Sequence, residues 1–268
     1  MMPEDLAMNR VPPLERACNF RDFGGYGTRD GRRVRWGRLY RSGSLTQLTD
    51  PDRSAIGALG IRAICDLRRL DERARHPDPE FGPGVTHLVW DEPAEVSPLR
   101  GQSFAQSVGA AEARAAMIGM YAQMPVTLVT RLRGMFAGLL QGPGAPMILH
   151  CMAGKDRTGF AAALLLSALD VPHQVIVEDY VLTNRAVDLR AQLLSAEQAG
   201  LGIAVSAEPI FALPREAQDA VLAADADYLG AGFAALEAGY GSVNAYLSTA
   251  LGVDDDARRQ LARALLED

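Results

Sequence analysis

The chain has little cysteine, and what it has follows no ordered spacing. Cys18, Cys65 and Cys151 stand far apart among 268 residues with no Cys-x-x-Cys pair, which argues against a disulfide framework or a zinc ribbon and suits a reducing compartment. Positive charge is also short, with 27 Lys+Arg against 33 Asp+Glu and a net charge of -6. Broad attraction to nucleic acid or to an anionic membrane is therefore not expected, and any bound anion must be drawn by a local site. No apolar run approaches the ~18 residues of a membrane span, and the opening "MMPEDLAMNR" lacks the basic and apolar regions of a signal peptide. The expectation is a cytoplasmic protein with no integral membrane segment, although export by a route that uses no signal peptide would leave no mark. Histidine is scarce too, and His76, His87 and His173 have no partner at ligand spacing, so they read as structural and no metal is expected. What remains is an ordinary globular balance of 48% apolar and 22% charged residues.

Periodicity organises the chain. "ACNFRDFGGYGTRDGRRVRWGRLYRSGSL" mixes Gly-rich turns with a hairpin about "RDG". "TDPDRSAIGALGIRAICDLR" predicts a capped helix with Pro51 in its first turn and a stop at Gly60, then a buried strand over 61–67 that ends in Asp66 and Arg68. "VTHLVWDEP" predicts another strand, and the polar, small residues over 91–112 a surface loop. Helical spacing over 113–140 breaks at Pro125, a strand is expected over 147–150, and an apolar helix over 158–169. The rest reads as helix, with breaks near 200–209 and 239–241. Strands alternating with helices and then a helical tail imply an α/β fold: a central, mostly parallel sheet flanked by helices, with a helical C-terminal extension. We expect one domain over 1–268, with a helical lid or cover within 186–240.

The chemistry concentrates in "LHCMAGKDRTG". A buried strand ends at His150, a helix begins about Thr158, and the backbone NH groups between them, over Met152, Ala153, Gly154 and Lys155, can converge on an anion at the positive end of the helix. Cys151 lies at the base of that site, where the same field favours thiolate over thiol. Arg157, six residues on, can clamp two phosphate oxygens with its planar fork. A thiolate below a cradled phosphorus is a nucleophile placed for in-line displacement, so phosphate monoester hydrolysis through a cysteinyl-phosphate is implied, with no metal or other cofactor required. Thr158 can hydrogen-bond the sulfur, and His150 can fix the loop through backbone.

Cys-x5-Arg-Thr preceded by His resembles the signature of protein tyrosine phosphatases, and Lys155-Asp156 inside it resembles an atypical bacterial subgroup of tyrosine and lipid phosphatases. "NFRDFGGY", "LYRSGSL", "DLRRLDER", "VEDYVLTN" and "YGSVNAYLSTALGV" resemble segments of that subgroup in the same order. The resemblance implies a tyrosine-phosphatase-like sheet and a phosphotyrosine protein or a phosphoinositide as substrate. A Walker A loop does not fit, because Leu149 stands where its first glycine is needed and Asp156 replaces the hydroxyl residue. A rhodanese-like sulfur transferase does not require the flanking segments.

Proton transfer has two candidates. "VWDEP" offers Asp91, and the loop offers Asp156, which the resemblance implies; Asp22 and Asp66 are further possibilities. Lys155 is expected to meet phosphotyrosine or an additional phosphate of an inositol ring. Asp66 can orient Arg157 or pair with Arg68 to hold the strand to its loop. Asn184 can bond the phosphate loop or cap a helix. Cys18 and Cys65 read as small apolar fillers, with a protective disulfide to Cys151 as the alternative. Two rival functions remain: a lipid phosphatase, which a wide basic mouth around Lys155 would support, and a non-catalytic phosphate-binding module, which would be marked by a lost cysteine, arginine or acid.

Overall fold

A computed structural model describes residues 10, 12, 14–91, 109–142, 144–198 and 210–268. Five strands, β1 (Arg21–Asp22), β3 (Leu39–Ser42), β4 (Ala63–Asp66), β5 (Thr86–Leu88) and β6 (Met147–His150), form the main sheet in the order β1-β3-β6-β4-β5. Only the β1–β3 pair is antiparallel. β6 is central, and its register sets Ser42, His150 and Asp66 level with one another, so the chain leaves three adjacent strands at one edge. That edge, the carboxyl end of a parallel sheet, is where α/β folds place their ligands.

The strands alternate between two cores, as a two-residue period requires. Ile64 and Ile148 join Phe20, Tyr40 and Ile56 on one face, whereas Cys65, Leu149 and Met147 enter the larger cluster on the other. α1 (Asp50–Ala58) covers the smaller face and starts as expected: Thr49 and Asp52 close a capping box with Pro51 in the first turn. α2 (Leu70–Arg75) follows β4. The larger face carries α3 (Ala110–Thr127), α4 (Val129–Gln141), α5 (Asp156–Ala168) and α6 (His173–Val181). α5 is buried almost all round, as its apolar sequence demands. A short α7 (Thr183–Ala186) leads to α8 (Leu189–Gln198), α9 (Arg215–Leu222), α10 (Ala226–Tyr240), α11 (Val243–Thr249) and α12 (Asp255–Leu265). The fold is thus α/β with a mostly parallel sheet, flanking helices and a helical C-terminal extension. Among the described residues, no helix is long and apolar enough to cross a membrane.

Three local expectations need correction. Pro125 does not break its helix; it sits in the last turn of α3, and the break falls at Leu128. The "RDG" hairpin forms, with Gly27 bridged antiparallel to Arg33 and Val34 N donating to Tyr26 O at 2.8 Å, and β2 (Arg33–Val34) also pairs antiparallel with a C-terminal strand, β7 (Leu266–Glu267). The tail is therefore not helix throughout. α5 begins at Asp156, two residues before the expected start. Within the 186–240 span, α10 packs into the core through Tyr228, Leu229, Phe233 and Leu236. Most of the expected surface loop and the break at 200–209 lie outside the described residues.

Candidate active site

The loop from Cys151 to Lys155 joins central β6 to α5, and its carbonyls are pulled outward one by one. Met152 O accepts from Ser44 N at 2.8 Å, Ala153 O from Asn19 Nδ2 at 3.4 Å, and Gly154 O from Asn19 Nδ2 at 2.9 Å and an Arg41 guanidinium nitrogen at 3.0 Å. Lys155 O accepts from Gly159 N at 2.8 Å. Among the described residues, no NH from Met152 to Thr158 donates to a protein acceptor. Carbonyls turned out leave amides turned in, at the positive end of α5: the form of an anion nest. Gly154 permits the turn, since its φ is +66° and a Cβ there would stand 2.5 Å from Gly43 N.

The anchors of these carbonyls are themselves locked. Asp179 on α6 accepts from Arg41 at 2.5 Å and from the Tyr26 hydroxyl at 2.9 Å, and lies 3.7 Å from Arg21 Nε. Arg21 in turn holds the Asn19 side-chain oxygen. Burial pushes Asp179 up, but Arg41 and then Arg21 outweigh it and hold the carboxyl below its ordinary range. Arg21 is brought down to about 10 by burial and then by Arg41. Asn19, Arg21, Arg41 and Asp179 all fall in the segments quoted for the resemblance, but sequence reading gave none of them this anchoring role. The signal available was the cluster of charges in otherwise apolar segments.

Arg157 enters from the first turn of α5 with its side chain 19% exposed. Its partner is Glu72, which accepts two bonds from it at 2.6 and 2.9 Å; Leu67 O accepts a third at 3.2 Å. This fork-to-fork pair fixes the guanidinium plane. Burial would raise Glu72 and lower Arg157; the mutual charge reverses both, leaving the carboxyl at about 2 and the guanidinium above its usual range. Asp66 does not orient Arg157, because it is taken by Arg68, bonded at 2.7 Å. Arg68 also reaches Asp78 at 2.6 Å. The reading that the pair holds the strand to its loop is the one the geometry matches.

His150 lies fully buried beneath this cluster. Its Nε2 stands 3.2 Å from Asp78 and 3.7 Å from Asp66, a carboxylate contact in place of the expected backbone bond. Asp66, Asp78 and His150 bring one ligand atom each within 4.8 Å. Arg68 already bridges both carboxylates, so their charge is compensated without an ion.

Asp156 faces the same loop. Its Oδ1 accepts from the Tyr121 hydroxyl at 2.8 Å and lies 3.3 Å from Lys155 Nζ. Lys155, expected at the mouth, is buried instead: its ammonium donates to Val221 O and, at 3.0 Å, to Ala223 O, at the C-terminal end of α9. Asn184 neither bonds the loop nor caps a helix; its amide exchanges two bonds with the Ala224 backbone, at 2.9 and 2.8 Å. Thr158 Oγ1 is buried without a partner among the described residues. Asp91 is 72% exposed and paired with Arg73. Asp22 is engaged by the Gly24 and Gly37 amides at 2.7 and 2.6 Å.

All three cysteines are free and buried. Cys18 lies against the loop, its sulfur 3.8 Å from Ala153 O, and burial and then the Cys151 charge push its thiol up to about 12. Cys65 is raised above its ordinary range by burial and then by Asp66.

Cys151 at the end of β6, the loop with its outward-bonded carbonyls and the Glu72-clamped Arg157 thus follow one another at one edge of the sheet, and comparisons with known proteins give the family. A family model described as "Tyrosine phosphatase family" matches residues 12–267. The chain belongs to the tyrosine phosphatase family. A Cupriavidus necator protein with a provisional tyrosine-protein phosphatase name is 37% identical over 93% of this chain and 85% of its own. "Triple specificity protein phosphatase PtpB" of Mycobacterium tuberculosis is 32% identical over 90% of this chain and 94% of its own. A tyrosine-protein phosphatase of Nostoc commune is 31% identical over 82% and 71%. The chain is thus a hydrolase of the tyrosine phosphatase superfamily, related to bacterial PtpB-like phosphatases.

Proposed function

We propose that this chain is a metal-independent phosphate monoester hydrolase acting through a cysteinyl-phosphate, with protein phosphotyrosine as its main substrate. The carrying observation is the loop whose carbonyls, from Met152 to Lys155, all bond away from the site. In the first step Cys151 Sγ bonds phosphorus as the ester P–O bond breaks, and Asp156 gives its proton to the leaving oxygen. The loop amides and Arg157 stabilise the charge on the transferring phosphoryl group. In the second step Asp156 takes a proton from water, which attacks phosphorus and releases the sulfur. Thr158, with its hydroxyl unengaged, is suited to donate to that departing sulfur. Asp156 is preferred to Asp91 because it lies in the loop, whereas Asp91 is exposed and paired with Arg73.

The match over 12–267 supports a single catalytic domain spanning 1–268, and "HCMAGKDRTG" supports placement in the subgroup with a Lys-Asp pair in the loop. Phosphoserine/threonine and phosphoinositide activities are secondary in this reading, and a relative named "Triple specificity" is compatible with more than one substrate class. A mainly phosphoinositide enzyme would use a free cation at the mouth, and Lys155 is engaged with Val221 and Ala223. A non-catalytic module would lack one of Cys151, Arg157 and Asp156, and all are present.

The test is turnover of phosphotyrosine peptides, phosphoserine/threonine peptides and phosphoinositides side by side, in the presence of EDTA. Phosphotyrosine should turn over fastest and Cys151→Ser should abolish activity on every substrate. Residual turnover by Cys151→Ser sinks the mechanism, and faster phosphoinositide turnover reverses the substrate order.

A further inference from the structure

The acid candidate is held by a helix that carries none of the signature. Tyr121 on α3 is fully buried, and its hydroxyl both donates to Asp156 Oδ1 at 2.8 Å and lies 2.6 Å from the Tyr180 hydroxyl on α6. One phenol has one hydrogen. With the Tyr121 hydrogen on the carboxylate, Tyr180 must supply the hydrogen between the two rings, so the chain runs from Tyr180 through Tyr121 to Asp156. Burial first, and the Asp156 charge second, hold both phenols well above their ordinary range, so both remain donors. Lys155 also faces Oδ1, while among the described residues no hydrogen bond reaches Oδ2.

We infer that Tyr121, backed by Tyr180, is a positioning residue that fixes the Asp156 carboxyl with Oδ1 engaged and Oδ2 left to carry the transferred proton. The inference rests on the reading of Asp156 as the acid and base. A proton on Oδ1 would collide with the Tyr121 hydrogen, whereas one on Oδ2 leaves that bond intact. The Tyr121 contact therefore serves both protonation states. In the first displacement the Oδ2–H bond breaks as the leaving oxygen takes the proton, and in the second Oδ2 recovers one from water. Tyr121 keeps its own hydrogen throughout. A bland alternative is that a buried phenol needs an acceptor and Asp156 happens to supply it.

The two readings differ in which substrates suffer. We would measure kcat/KM, which reports the first displacement, on dinitrophenyl phosphate, whose leaving group needs no proton, and on phenyl phosphate, whose leaving group does. Tyr121→Phe should cost about tenfold on phenyl phosphate and under about threefold on the dinitrophenyl ester, and Asp156→Asn should show the same selectivity at about 10²- to 10⁴-fold. In the Asp156→Asn background the Tyr121→Phe effect should vanish. Equal losses on both esters, or an undiminished effect in that background, overturn the inference. If Asp156→Asn itself is unselective, the acid assignment fails and the inference falls with it, an outcome distinct from a selective Asp156→Asn beside an unselective Tyr121→Phe. Should Tyr121→Phe not fold, Tyr180→Phe keeps the bond to Asp156 but removes the donor behind it. A loss of about threefold confined to phenyl phosphate is then expected, and no selectivity counts against the inference.

Discussion

On the side of β3 and α6, the loop from Cys151 to Lys155 is held by Asn19 and Arg41, which are locked in turn by Asp179 and Arg21. On the side of α9, Lys155 and Asn184 hold the segment from Val221 to Ala224 through its backbone groups. The first arrangement is a buried charge network in which each ion is satisfied only while the others stay in place. The second is a set of bonds to backbone groups at and just beyond a helix end, where a lost bond leaves only a neutral group unpaired. Loss of a partner from a buried ion set costs about 3–5 kcal/mol, against roughly 1 kcal/mol for a neutral bond. The loop should therefore be rigid where it meets the sheet and more easily loosened where it meets α9.

The largest expected effect comes from removing the centre of the charge network. Asp179→Ala leaves Arg21 and Arg41 buried against each other and should destabilise the fold by about 3–5 kcal/mol in denaturant unfolding. Activity should fall with it, since Arg41 would no longer be held on Gly154 O. A loss under about 1 kcal/mol would erase the contrast between the two sides.

Next in size is the clamp on Arg157. Glu72→Gln keeps the shape but removes the charge that fixes the guanidinium plane, and kcat/KM should drop by about 10- to 100-fold. The same residue gives a pH signature. Its folded value, about 2, lies below the ordinary 4.5, so its contribution to stability is complete above the unfolded value and is lost as pH falls through the folded one. Stability of the wild type should decline between about pH 4.5 and pH 2 more steeply than that of Glu72→Gln. Parallel acid limbs in pH-dependent unfolding would show that the pair holds no such linkage.

These partners also mark the limit of what sequence reading could reach. The strand, the turn at Gly154 and the following helix were legible because burial pattern, glycine and apolar run are local signals. Cys151, Asp156 and Arg157 fall within one strand-to-helix turn for the same reason. The second carboxylate of the clamp was not: Glu72 lies 85 positions from Arg157 and Asn19 135 from Gly154, so only the tertiary fold decides that they touch. Asp66 was the plausible choice at a strand end, yet Arg68, two residues on, captured it. Lys155 misled for a related reason. A lysine inside an anion loop reads as a substrate contact, but its long stem reaches the free carbonyls of a helix 66 residues away. Tyr121 left no trace either, because a tyrosine in an apolar helix is read as core, and its ring is indeed packed there.

The smallest effect should come from the α9 side. Asn184→Ala removes the two bonds to Ala224, whose NH and carbonyl are the backbone groups nearest the end of α9 that a side-chain amide holds. The variant should lose about 1–2 kcal/mol of stability, less than Asp179→Ala, because no ion is left uncompensated. Amide exchange discriminates the two sides more sharply than stability does. Asn184→Ala should speed exchange over residues 221–225 and leave Ser44, whose amide bonds Met152 O, protected as in the wild type, while Asp179→Ala should speed exchange at Ser44. If loosening Ala224 also released the loop, Lys155 would be transmitting strain from α9 to the loop, and the two sides would form one cooperative unit instead of two.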